Sequence, residues 1–215
     1  MEYPDLDLKN IALITIDTQT DTLEGQPLEI PGTSAVLPNM ASLLKIFRDL
    51  KLPIIHIVRI YLQDGSNAEL CRKKALEEGQ EILIKNSKGS QIAKELFDEK
   101  VMLDPDLLMN NKIQKINDDE VVIYKPRWGA FYKTPLEKYL NDKGISSLIF
   151  TGCNYPNCPR TTIYEASERD YRIALIKDGV SGLYEKGEKE MENIGVNLLL
   201  TKEMINKMIC TIPEG

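Results

Sequence analysis

IALITID, residues 11–17, is a run of apolar and β-branched side chains that stops at an acid. A short continuous run of this kind reads as a parallel strand covered on both faces, and it leaves Asp17 at the strand's carboxyl end. Working outward, Leu37, Met40, Leu43, Leu44 and Phe47 recur at helical spacing over 36–50, with Ser34 as a candidate cap, and Pro53 then opens a second apolar run over 54–60. The unit is strand, helix, strand.

The same alternation returns after residue 120. Strands are expected over 121–124, 147–151, 172–177 and 196–200, and helices over 134–141, 159–168, 188–194 and 202–209, with Pro135 and Pro159 at first-turn positions. Repeated alternation implies one domain spanning residues 1–215. Its expected fold is a three-layer αβα sandwich around a mostly parallel sheet of roughly six strands. Residues 61–120 are less regular: a charged helix near 68–78, an apolar run over 82–84 and another helix near 90–97. That stretch is too long for a plain connection, so it is expected to cover a pocket or a partner subunit.

The composition removes several function classes. Charged residues of both signs are interspersed and the net charge is -6, so there is no basic stripe for a nucleic-acid backbone. The N-terminal MEYPDLDLKN carries acids, and the longest apolar runs are strand-sized, which predicts neither a signal peptide nor a membrane span. A soluble cytoplasmic protein is expected. Cys71, Cys153, Cys158 and Cys210 lack the spacing of a disulfide framework and read as reduced thiols.

Ligands of an open parallel sheet bind beyond the carboxyl ends of its strands. Three chemistry-bearing residues fall there: Asp17, Lys125 directly after Tyr124, and Cys158 in the turn that follows Thr151 and Gly152. Cys158 precedes Pro159 at a helix start, where unpaired N–H groups, the helix dipole and a nearby Lys125 would favour a thiolate. Asp17 could take the thiol proton and return it to a leaving nitrogen. Arg59, Arg127 and Arg160 lie near the same rim and are candidates for holding an anionic or strongly polar end of a substrate. Trp128 and Phe131 are either core packing or pocket wall. His56 reads as a hydrogen-bonded strand residue, and Asp118, Asp119 and Glu120 as solvated surface. A redox pair of Cys153 and Cys158 is the rival reading of the thiols; a zinc site would have to draw on the scattered Cys71, Cys210 and His56.

The segments ALITIDTQTD (12–21), VVIYKPRWGAFYKTPLEKYL (121–140) and LIFTGCNYPNCPRTTIYEASERDYRIALIKDGVSG (148–182) resemble, in this order, the isochorismatase-like cysteine hydrolases. That family includes nicotinamidases, N-carbamoylsarcosine amidase and the ureidoacrylate and biuret amidohydrolases. The resemblance implies Asp17 as general acid/base, Lys125 as electrostatic partner and Cys158 as nucleophile. It further implies a cis peptide between Cys153 and Asn154, and an oxyanion hole made by the N–H groups of Asn154 and Cys158. Tyr155, in the same turn, is expected to contact the pocket. Nicotinamidases hold a metal through an Asp and several His, whereas this chain has one histidine, so no metal or other cofactor is expected. The vinyl-ether-cleaving members generally lack the nucleophilic cysteine, so Cys158 points to amide chemistry on a small molecule. Relatives are commonly dimers or tetramers, and a homodimer or homotetramer is expected.

Overall fold

A computed structural model describes residues 4–211. Its centre is β1 (Ile11–Ile16), every residue of which is buried, as a strand covered on both faces must be. The other strands are β2 (Ile54–Val58), β3 (Gln114–Lys115), β4 (Glu120–Tyr124), β5 (Ser147–Gly152), β6 (Arg172–Val180) and β7 (Asn197–Leu199). They form one sheet in the order β3-β4-β2-β1-β5-β6-β7, parallel throughout except for β3, which pairs antiparallel with β4. Two apolar layers seal the faces. Leu37, Met40, Leu43, Leu44 and Phe47 of α1 (Thr33–Asp49) bury one with Met204 and Met208 of α7 (Thr201–Thr211). Leu136 and Leu140 of α4 (Leu136–Asp142), Ile163 and Ala166 of α5 (Cys158–Ser167) and Met191 of α6 (Glu185–Asn193) cover the other.

The sheet thus has seven strands, the extra one being a two-residue antiparallel edge too short to leave a periodic signal. Ser34 is inside α1, which Gly32 caps in a left-handed conformation at φ 84°, and the Ser34 hydroxyl accepts from the Glu24 N–H instead. In the middle region the charged helix is α2 (Leu70–Glu77), and a short α3 (Pro105–Met109) follows; the helix expected near 90–97 is only a 3-10 turn at Lys94–Leu96. Tyr61, Ala68, Leu76, Ile82 and Leu83 form a small apolar cluster of their own that sits over the strand ends.

Glu120 is not solvated surface. It is buried, accepting from Arg48 Nη2 at 2.7 Å and lying 2.8 Å from His56 Nε2, while His56 Nδ1 lies 2.8 Å from Thr15 Oγ1. His56 is therefore a hydrogen-bonded strand residue. Burial, joined by the charge of Arg48, lowers its pKa against the pull of Glu120. Burial would raise Glu120, but hydrogen bonds from His56 and Arg48 outweigh it and bring the carboxyl down to about 2. Both shifts destabilise the fold on acidification. An unfolded chain takes a proton on the imidazole as pH falls through about 6.5 while the native chain does not, and below the ordinary carboxylate range the native state also resists protonating Glu120. Urea midpoints should therefore fall as pH is lowered through about 6.5 and again below about 4.5. Since the chain has one histidine, His56→Asn should remove the upper of these two declines, and its persistence in that variant would refute the assignment.

Candidate active site

The three carboxyl-end residues meet. Lys125 is fully buried, and its ammonium spends its three donors on three acceptors: Asp17 Oδ2 at 2.8 Å, the Arg127 carbonyl at 3.2 Å and Cys158 Sγ at 3.3 Å. Strand register sets this up, since the Lys125 N–H donates to Val58 O and the Asp17 N–H to Ile57 O, which seats both residues just past the ends of the two strands that flank β2. Asp17 has φ 48°, a left-handed conformation that Asp tolerates better than most residues and that turns the chain sharply off β1. Its Oδ1 is buried without a hydrogen-bond partner among the described residues.

Cys158 opens α5, and α5 is fastened to the loop after Lys125. Thr162 Oγ1 donates to the Cys158 carbonyl and accepts from the Ala130 N–H, and Glu165 accepts from the Phe131 N–H. Gly152, at φ 117°, lets β5 close against β1, because a Cβ there would overlap the Ile16 carbonyl oxygen that the Cys153 N–H also reaches, at 2.8 Å. The backbone N–H groups of Asn154 and Cys158 donate to no group among the described residues, which leaves two unpaired donors in the turn that leads into α5.

The expected cis bond is not there: Cys153–Asn154 is trans, as is every peptide bond among the described residues. The cis form costs about 3 kcal/mol for a non-proline residue, and here the flanking N–H groups of Cys153 and Tyr155 find Ile16 O and Ser181 O with the bond trans. The thiol is also not pre-ionised. Burial, then the charge of Asp17, push the Cys158 pKa well above the usual thiol range, and Lys125 offsets only part of this. Lys125 is raised: burial disfavours its charge, but Asp17 and Cys158 together outweigh burial. Cys153 is buried as well, and burial holds its thiol up at about 11.

A cavity of about 380 Å³, open mouth included, stands over this floor. Its walls come from the segment after β1 (Thr22, Leu28, Ile30), from the middle region (Tyr61, Glu69, Arg72, Leu83) and from Trp128, Asn154 and Asn157. The middle region therefore does cover a pocket. Leu83 reaches it at φ 48°, unusual for a branched side chain, and is held there by Asp21, whose Oδ2 accepts from the Leu83 N–H at 2.6 Å.

The structure redistributes the remaining expected contacts. Trp128 is pocket wall, but Phe131 packs in the core against Tyr171, and Tyr155 is fully buried with its hydroxyl on the Gly187 carbonyl. Arg59 borders the cavity with its guanidinium already committed to Glu69, Ile60 O, Tyr124 Oη and Asn67 O. Arg127 is exposed and donates to Pro126 O and Asn67 O, while Arg160 pairs with Glu190 at 2.7 Å; neither lines the cavity. The four cysteines are unpaired thiols.

Two pocket elements were not foreseen. Arg72, on α2, stands with its guanidinium carbon 5.5 Å from the Trp128 ring centroid. Gln19, two residues beyond Asp17, fastens the site from below, since its side-chain amide donates to Arg59 O and Ser90 O and accepts from the Arg59 N–H. Among the described residues no group of three or more His, Cys, Asp or Glu is arranged to hold a metal ion, and no helix is long and apolar enough to cross a membrane.

The sequence and the fold have counterparts among known proteins. The isochorismatase domain model matches residues 11–201, and the chain belongs to that family. A probable inactive nicotinamidase of Arabidopsis thaliana is 28% identical over 87% of this chain and 91% of its own length. The N-carbamoylsarcosine amidase of an Arthrobacter species is 26% identical over 85% of this chain and 65% of its own. Among solved structures, an isochorismatase family protein from Desulfovibrio vulgaris superposes with a TM-score of 0.79 at 27% identity, covering 93% of this chain and 98% of that one.

Proposed function

We propose that the protein is a metal-independent hydrolase of C–N bonds that cleaves a small amide or ureido compound through a thioester on Cys158. The observation that carries the reading is Lys125 bridging Asp17 and Cys158 at the floor of a cavity. The neutral thiol gives its proton to Asp17 as Sγ attacks the carbonyl or carbamoyl carbon. The oxygen charge that develops falls to the unpaired N–H groups of Asn154 and Cys158. As the C–N bond breaks, Asp17 returns the proton to the departing nitrogen, releasing ammonia or an amine. Water then attacks the thioester, giving its proton to Asp17, and expulsion of the sulfur with reprotonation restores the thiol.

A purely redox-sensing thiol fits the site less well, because sensors work through a stabilised thiolate and here burial and Asp17 favour the protonated form. The amidase relative supports the amide reading. The test is ammonia release from a panel of small amides and ureido compounds, with peptide mapping for an acyl increment on Cys158. Activity should survive exhaustive chelation. Loss on chelation with recovery on adding zinc, manganese or iron would overturn the metal-independent mechanism, and turnover without any Cys158 adduct in rapid-quench samples would count against the thioester.

A further inference from the structure

The charges around the cavity do not cancel. Lys125 is matched by Asp17 and Arg59 by Glu69, which also accepts from Tyr61 Oη at 2.7 Å, and the Cys158 thiol is neutral. Arg72 is left over. Its guanidinium takes no hydrogen bond or ion pair among the described residues; its carbon lies 5.5 Å from the Trp128 ring centroid, a cation–π contact that leaves the N–H donors unspent. A cationic fork with unspent donors, set in a partly enclosed site beside two neutralised pairs, is a receptor for one negative charge.

We propose that Arg72 receives a carboxylate at the end of the substrate remote from the scissile bond, so that the substrate is a monoanionic amide or ureido acid. This rests on the amide-hydrolysing reading above for what happens at Cys158, and adds which part of the substrate selects it. A guanidinium–carboxylate fork formed in such a site distinguishes a charged end from its isosteric amide by about 10- to 100-fold. The three arginines near the strand rim do not compete for this role, since Arg59 is paired with Glu69 and donates to three further acceptors, and Arg127 and Arg160 stand outside the cavity.

Two matched pairs test it: succinamate against succinamide, and 3-ureidopropionate against 3-ureidopropionamide, in which only the remote charge differs. Two readouts are taken on wild type, Arg72→Ala and Arg72→Lys: ammonia release, and protection of Cys158 from iodoacetamide followed by peptide mass mapping, which needs binding but no turnover. In the wild type the anions should be preferred about 10-fold or more, through KM in the first readout and through the protecting concentration in the second. Arg72→Ala should collapse the preference with kcat for the anion little changed, and Arg72→Lys should restore part of it. Equal protection by anion and amide, protection by neither anion, or a preference that survives Arg72→Ala would overturn the proposal. Absence of ammonia from every probe while anion-selective protection persists would instead strike the amidase reading and leave the anion site standing.

Discussion

Cys158→Ala should lose at least about 10³-fold in kcat while still folding, because in the proposed mechanism the thiol forms the new bond, and removing such a nucleophile strips the chemistry rather than the binding. The side chain is buried, yet the deleted group is one sulfur, so the stability cost should stay near 1 kcal/mol, a shift of about 2–4 °C in Tm for a chain of this size. A variant that keeps a tenth of wild-type activity would remove Cys158 as nucleophile. Cys153→Ala is the matched control: it deletes a thiol of similar burial that also borders the cavity, so comparable losses at both positions would favour a paired-thiol role.

Lys125→Met should both inactivate and destabilise. The ammonium is enclosed, and Asp17 beside it is nearly so, so deleting the cation strands a carboxylate that already has one unpartnered oxygen. Breaking one side of a buried pair costs about 3–5 kcal/mol, which should appear as a large drop in urea midpoint. The double variant Asp17→Asn with Lys125→Met should recover much of that stability, since no buried charge is then left alone, and recover none of the activity. Stability losses that simply add in the double variant would show that the two side chains do not act as a pair.

How much of this was legible in the chain follows from the range over which each signal acts. Asp17, Lys125 and Cys158 could be placed because each directly follows a strand or turn whose apolar run is local, and the rule that parallel sheets bind ligands beyond their carboxyl ends does the rest. The arginines could not be sorted the same way. Arg59 is occupied by Glu69 and Tyr124, partners ten and sixty-five positions away whose approach depends on the irregular middle region. Arg72 sits in a sequence of charges that reads as a solvated helix face, and only the fold turns it toward Trp128. Glu120 likewise follows two acids in the sequence and still points inward, because strand register puts it beside His56. For the thiol, the helix start argues for a thiolate from the sequence alone, whereas the enclosure and the adjacent carboxylate that push its pKa up belong to the folded site and leave no local signal.

The strand order carries a consequence for how the molecule is made. Ile11–Ile16 finds one neighbour in Ile54–Val58 and the other only in the much later Ser147–Gly152. Until Ser147–Gly152 has been synthesised, that apolar ribbon has a bare side, the kind of edge that recruits other strands. Asp17 is made well before Cys158, so the nascent chain holds the acid long before the thiol that shares its lysine partner in the folded site. Closure of the long loop between the first and fifth strands is then the slow, late event, and the cluster of Asp17, Lys125 and Cys158 is complete only with it.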